Sequence, residues 1–221
     1  MSEITSPDYR SLLSNPDPVV AVVEFMSARF GLQVEPCDSG DGSWALLCNL
    51  WDAGAERVFG KQNHLLPSGR RYWQDDLFVF YAENQGVWTI GVAPTEEGDP
   101  QVFSVVIGDP PMPLGMGLAE LLIRAAVEEA VFSSPWTTTD PDDVEATLAD
   151  LGRDVRLLPA VPVDRIGNRL PSIWADGEAL AMGFESAGAV ELWAGAATVE
   201  AFEQSRIGRA RTWSEWTYPT A

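Results

Sequence analysis

Among these 221 residues, one histidine, His64, and two cysteines, Cys37 and Cys48, are the side chains best suited to nucleophilic or metal chemistry. Imidazole is the natural base near neutral pH, and a cysteine attacks only as its thiolate. No Gly-x-Ser-x-Gly elbow and no cysteine-protease sequence surrounds any of them, so no catalytic residue is assigned. A zinc centre needs ligands in recognised spacings, and one histidine with two cysteines eleven residues apart supplies none of these. The acids of Asp38-Ser39-Gly40-Asp41-Gly42 lack the later glutamate and further oxygens of an EF-hand, so this stretch reads as a turn and no metal is expected. No glycine-rich loop ends in Lys-Ser or Lys-Thr, which leaves no phosphate cradle and no implied cofactor. Carboxylate pairs for acid–base work stay open, because 33 acidic residues form many pairs and burial decides which of them matter.

Charge says more. The chain carries a net charge of −19, which disfavours nucleic acid, whose phosphates it would repel, and points to a basic partner. From Tyr72 to Gly152 the sole basic residue is Arg124, so the negative field is concentrated in the middle of the sequence. No stretch approaches the ~20 apolar residues of a membrane span, and the start, Met-Ser-Glu-Ile-Thr-Ser-Pro-Asp, lacks the basic and apolar regions of a signal peptide. A cytoplasmic location follows as the expectation, with both thiols free.

The elements that would position such chemistry centre on residues 75–92. Two runs rich in Val, Phe, Tyr, Trp and Ile flank Asn84-Gln85-Gly86, a hairpin whose glycine supplies a positive φ and whose two amides exceed what an Asn-Gly turn requires. A third strand is predicted from Gln101 to Ile107, after a turn at Pro94, Gly98, Asp99 and Pro100, and a long helix follows Gly108-Asp109-Pro110-Pro111-Met112-Pro113. In that helix Leu118, Leu121, Leu122, Ala125, Ala126, Glu129 and Phe132 share one face, and Glu120, Arg124 and Glu128 are assigned to the solvent side. Upstream, a helix is predicted from Asn15-Pro16 to Gly31, and a strand from Trp44 to Leu50. Asp52 to Gly69 reads as a long connection or a small hairpin, and Arg70 to Trp73 as a local ion-pair cluster with Asp75 and Asp76. Downstream, Asp140 and Pro141 open a helix to Leu151, with Gly152 after its end. Arg156–Leu158 and Ser172–Trp174 read as short strands, Ala179–Glu185 and Val190–Ala194 as a hairpin, and Thr198 as the cap of a helix through Gln204. The tail aromatics Trp213, Trp216 and Tyr218 are expected to fold back on the core.

The order strand, Glu83-Asn84-Gln85-Gly86-Val87-Trp88, strand, Asp109-Pro110-Pro111, helix resembles the SUKH superfamily over roughly Leu77 to Phe132. That family includes bacterial immunity proteins that neutralise toxins and the yeast regulator of cell-wall assembly. The resemblance implies a single α+β domain over 1–221, an antiparallel sheet with helices packed mainly on one face. Its core would lie at about 16–132, with 133–221 a hairpin and helix elaboration. It further implies a non-enzymatic module that binds a basic protein, a toxin domain, through an acidic face. With the charge pattern, the partner-binding residues would be Asp75, Asp76, Glu83, Asn84, Gln85, Glu96, Glu97, Asp99 and Asp109. An intracellular scaffold with a cellular client is the alternative, and an enzyme with a carboxylate site a more distant one.

Overall fold

The computed structural model describes residues 8–35, 42–60, 63–95, 98–139, 143–164, 167–186, 189–210 and 213–216. Three helices come first: α1 (Tyr9–Leu13), α2 (Pro18–Phe30) and α3 (Gly42–Asp52), followed by a 3-10 turn at Ala55–Arg57. The strands β1 (Asn63–Leu65), β2 (Tyr72–Gln74), β3 (Leu77–Glu83), β4 (Thr89–Val92), β5 (Gln101–Val105) and β6 (Met112–Gly117) then build an antiparallel sheet in the order β1-β3-β4-β5-β6. Both β1 and β2 pair with β3, β1 at residues 81–83 and β2 at 77–79.

Helix α2 is capped by Asp17, whose carboxylate accepts the Val19 and Val20 amides with Pro18 at the first helical position. The start therefore lies two residues beyond the predicted Asn15-Pro16, because the Asn15 side chain accepts the Asp17 amide and shapes the approach instead. Gly31 ends the helix, as predicted. Trp44 to Leu50 is helical rather than a strand. Its apolar residues Leu46, Leu47 and Leu50 recur at helical spacing and are fully buried, so a period near 3.6 won over the β-like run of bulky side chains. Cys48 in this helix is a free, half-buried thiol, and Cys37 lies outside the described residues.

Helix α4 (Leu118–Phe132) is the element both halves share. It packs against α2, against β5 and β6 of the first sheet, and against two strands of a second sheet. The second sheet is built from β7 (Trp136–Thr139), β8 (Arg156–Leu158), β11 (Ser172–Asp176), β12 (Ala179–Ser186), β13 (Ala189–Ala196) and β14 (Ser214–Trp216), while β9 (Val161–Pro162) and β10 (Arg169–Leu170) form a separate small ribbon. Its strand order is β14-β7-β13-β12-β11-β8, and β12 and β13 form the predicted hairpin in full register from Ala179↔Ala196 to Ser186↔Ala189. Helices α5 (Val144–Asp154), α6 (Val199–Gln204) and α7 (Arg206–Arg209) complete the chain.

Period-two alternation decides what each face of β12 covers. Leu180 and Met182 join the core around α4, whereas Ala179 and Ala181 join a second cluster with Leu151, Val155, Phe202 and Ile207 from α5 to α7. Helices thus cover one face of the first sheet but both faces of the second. The mixed α+β fold with antiparallel pairing is as expected, but residues 133–221 supply a six-stranded sheet rather than a hairpin and helix appended to one sheet. Two expectations for α5 also change. Asp143 caps it through the Ala146 amide, and Gly152 lies within the helix rather than after it. Asp140, Pro141 and Asp142 lie outside the described residues. Trp213 does fold back, with its ring edge on Phe202 and its indole N–H donating to the Ile207 carbonyl.

Candidate functional site

The β3–β4 hairpin is irregular at its centre, and the irregularity sets the site. A register shift between Val79 and Tyr81 leaves Phe80 as the extra residue of a bulge, so Phe80 and Tyr81 both enter the helix-side core while Val79 and Ala82 serve the opposite face. Glu83 follows Tyr81 by two. Its side chain closes the turn, since one carboxylate oxygen accepts the amides of Gln85 at 2.9 Å and Val87 at 3.2 Å. The Gly86 amide donates to the Glu83 carbonyl, and Gly86 takes φ 72°, a conformation that glycine adopts without a steric penalty. Because Glu83 braces the turn, the Asn84 and Gln85 amides are spare: both are exposed, and neither side chain makes a hydrogen bond among the described residues.

Beside this turn lies a cleft of about 410 Å³. Phe59, Leu65, Leu66 and Pro67 supply its apolar lining, and Glu56, His64, Arg70, Glu83, Asn84 and Gln85 its polar groups. It flanks β1, which ends the strand path of its sheet. His64 therefore has a place, at this cleft. Cys48, by contrast, sits in α3, where burial and the Asp52 carboxylate push its thiol above the ordinary value against the pull of Arg71, which leaves little thiolate.

A buried polar cluster lies on the helix side of the same strands. Glu128 and Glu129 are 3% and 1% exposed, and Arg124 2%, so the assignment of Arg124 and Glu128 to the solvent side is corrected: α4 is enclosed on all sides by two sheets and α2. Glu120, at the first turn, retains partial exposure. Asn63 donates to Glu128 Oε1 at 2.8 Å, and the Gly60 amide donates to Glu129 Oε1 at 3.1 Å. Burial first, then repulsion from Glu129, pushes the Glu128 carboxyl up to about 8, against the opposing bond from Asn63; Glu83 adds to the rise. Tyr81 is raised well above its ordinary value by burial and by the same two glutamates. Asn63 Oδ1 is buried with no hydrogen-bond partner, and a neutral Glu128 carboxyl carries a donor of the kind that oxygen lacks.

The topology splits seven of the nine predicted partner-binding residues between the two ends of the first sheet. Glu83, Asn84 and Gln85 share an end with Asp109, which sits between β5 and β6. Asp75 and Asp76, the positive-φ turn residues between β2 and β3, lie at the other end with Asp99. The two ends are roughly 20 Å apart at the usual rise per strand residue. Asp99 is also occupied: its carboxylate accepts the Ala119 amide at 3.2 Å and so caps α4, whose own N-cap, Gly117, has no side chain to do so. Glu96 and Glu97 lie outside the described residues. Sequence reasoning missed Glu56, His64 and Arg70 as cleft residues, since nothing in their spacing relates them to a turn some twenty residues on. It missed Val87 and Ile107 as well, apolar side chains 45% and 93% exposed at the Asn84 end of the sheet.

Among the described residues no three His, Cys, Asp or Glu side chains gather as a metal site, and no helix is long and apolar enough to cross a membrane. Comparisons with protein-family models, with curated proteins and with solved structures find no match.

Proposed function

We propose that this chain is a protein-binding module of the SUKH kind, which neutralises a basic toxin partner at the Asn84 end of its first sheet. One observation carries the reading: Glu83 braces its own turn, so the Asn84 and Gln85 amides are left exposed and unspent on a rigid support beside a cleft. A fixed backbone with free donors and acceptors loses little entropy on binding. Val87 and Ile107 add apolar surface to the same end, and Asp109 adds charge. The acids at the other end, Asp75, Asp76 and Asp99, lie too far away for the same contact and act through the field that attracts a cationic partner over a distance.

The test is photocrosslinking from Gln85 and Val87 in the cells that make the protein, followed by binding kinetics with the recombinant partner. Asn84→Ala and Gln85→Ala speed dissociation by roughly tenfold if their bonds are desolvated in the complex. Co-expression then asks whether the partner arrests growth and whether this protein relieves the arrest. A partner whose complex is indifferent to both amide substitutions overturns the site, and a partner that does no harm when expressed alone overturns toxin neutralisation.

A further inference from the structure

The face of the first sheet turned away from the helices is not composed like a solvated surface. Register sets its members: Leu77, Val79 and Ala82 from β3, Gly91 from β4, and Phe103 and Val105 from β5. Tyr72 and Gln74 join them opposite Val79 and Leu77, His64 opposite Ala82, and Pro113 opposite Phe103. Among the described strand residues of this sheet, none on this face is Asp, Glu, Lys or Arg. An antiparallel sheet with one wet face normally alternates apolar with polar and charged positions. Here 21% of the chain is charged, and that charge is kept off the face where alternation would put it. The apolar residues form a cluster of their own, to which no residue of a helix or of the second sheet belongs. Val79 and Val105 are closed over within it, so the surface on offer is made by half-buried Ala82, Ala93 and Phe103 and by exposed Tyr72. Past the strand ends Trp88 and Val106 still turn to the helix-side core, which leaves the exposed Val87 and Ile107 to extend the same face.

The lack of charge selects the occupant. A basic partner is recognised by acids, and this face offers none, whereas two copies that each carry −19 can meet only where neither presents charge. The size also fits. Five strand positions across and about eight residues along give a footprint of roughly 600 Å² per copy at the usual strand spacings. A standard interface buries about 800 Å² per partner, so this face suits a weak, reversible association. We infer that two copies of this chain associate through this face, sheet on sheet about a two-fold axis, with Phe103, Ala82 and Ala93 at the centre of the contact. Asp75, Asp76 and Asp109 lie beyond the two ends of the sheet, where like charges of the two copies repel and salt relieves the repulsion. The contact is separate from the Asn84 and Gln85 amides, and salt acts on the two in opposite directions. It weakens the attraction of a basic partner and strengthens the pairing of two acidic copies.

The test is sedimentation equilibrium of the whole chain, from low micromolar to near-millimolar concentration, at low and at high salt. The mass doubles with a midpoint on the order of 10 to 100 μM, as a contact of this size allows, and the midpoint falls several-fold at high salt. Tyr72→Glu and Ile107→Glu place a charge at exposed positions, where thermal melts show that folding is kept. Each weakens association roughly tenfold or more, because a substitution acts twice across a two-fold axis. Asn84→Ala/Gln85→Ala leaves the midpoint unchanged, which separates this contact from the turn amides. In a mixture of 13C-labelled and unlabelled protein, intermolecular NOEs join the Phe103 ring of one copy to the Ala82 and Ala93 methyls of the other. A monomer at every concentration and salt overturns the second copy as the occupant and leaves the face to a different chain. A dimer that salt weakens, or one untouched by Tyr72→Glu and Ile107→Glu, overturns this face as the interface.

Discussion

The two sides of α4 solve the same problem in different ways. Toward the second sheet the helix buries a cation, Arg124, and gives it oxygen partners: Glu120 Oε1 at 2.7 Å and the Pro171 carbonyl at 3.0 Å. Toward the first sheet it buries two consecutive carboxyls, Glu128 and Glu129, and Glu128 is met by a neutral donor, the Asn63 amide, while the Gly60 amide donates to Glu129. A charge inside a protein must be paired or given up. The Arg124 side pairs it, and the Glu128 side gives it up by keeping a proton. The first solution makes stability nearly independent of pH around neutrality. The second ties stability to pH, and it does so directly beneath the strands that carry the candidate site.

The largest expected effect comes from breaking the second solution. Glu128 has a folded value of about 8 against an ordinary 4.5, so the native state holds a proton that the unfolded chain releases between those values. A raised folded value contributes stability that is fully present below about 4.5 and is lost as pH rises through about 8. A gap of this size corresponds to a loss on the order of 3 to 5 kcal/mol over that window. Urea unfolding should therefore show stability falling from pH 5 to pH 9, and Glu128→Gln should flatten the profile and gain most at the alkaline end. An equally steep profile in Glu128→Gln would mean that another group keeps the proton. The groups facing Glu128 from its neighbours are Glu129, Asn63, Tyr81 and Glu83, of which Glu129 is the next to substitute.

On the other side, Arg124→Ala removes the donor to Pro171 O and leaves a cavity in a packed interior. The cost should be about 2 to 4 kcal/mol at every pH from 5 to 9. Most of it arises from the carbonyl and the lost packing, because Glu120 is 36% exposed and water screens its part of the pair. Chemical denaturation at three pH values checks both the size and the flatness. A strong pH dependence of the Arg124→Ala penalty would erase the contrast between the two sides.

This contrast was hidden in the sequence for a physical reason. The apolar positions of α4 were legible from their spacing, as were the strands β3, β4, β5, β12 and β13 and the caps at Gly31 and Thr198, because each depends on local chemistry. Glu129 was placed on the buried face by that spacing, but Glu120, Arg124 and Glu128 were read by the rule that charged residues on a helix face water. That rule fails for a helix buried all round, and only knowledge of the second sheet shows that α4 is one. The second sheet was itself obscured, since β7 carries Thr137, Thr138 and Thr139 in a stretch without strong alternation and gains its meaning from pairing with β13 and β14. At the site, the Asn84-Gln85-Gly86 turn was legible and its bracing by Glu83 was not. The cleft was illegible too, because Glu56, His64 and Arg70 reach it through the tertiary fold.

A smaller effect separates the two ends of the first sheet. Asp99 was grouped with the partner-binding acids by charge, yet it caps α4. Asp99→Ala should lower stability by about 1 kcal/mol, the usual cost of a lost cap, and leave the dissociation rate of any complex unchanged. Asp109→Ala, at the end where Asn84 and Gln85 sit, should do the reverse and spare stability. Thermal melts and binding kinetics on the same two proteins settle which acid belongs to the fold.

The smallest effect on folding is the most informative about the site. Asn84 and Gln85 are exposed, their side chains make no hydrogen bond among the described residues, and the turn is held by Glu83 and Gly86. Removing both amides in Asn84→Ala/Gln85→Ala should therefore change stability by less than about 0.5 kcal/mol, the range of surface substitutions that touch nothing. Glu83→Ala should behave differently: it deprives two backbone amides of their acceptor and should cost about 1 to 2 kcal/mol while loosening the turn. Hydrogen exchange at the Gln85 and Val87 amides reads that loosening directly, with faster exchange in Glu83→Ala and no change in the double variant. If the double variant were as destabilised as Glu83→Ala, the amides would be structural and the reason for placing a partner at this end of the sheet would be gone. If the double variant folds like wild type, the two side chains carry no structural duty in the turn, which is what the proposed contact requires of them.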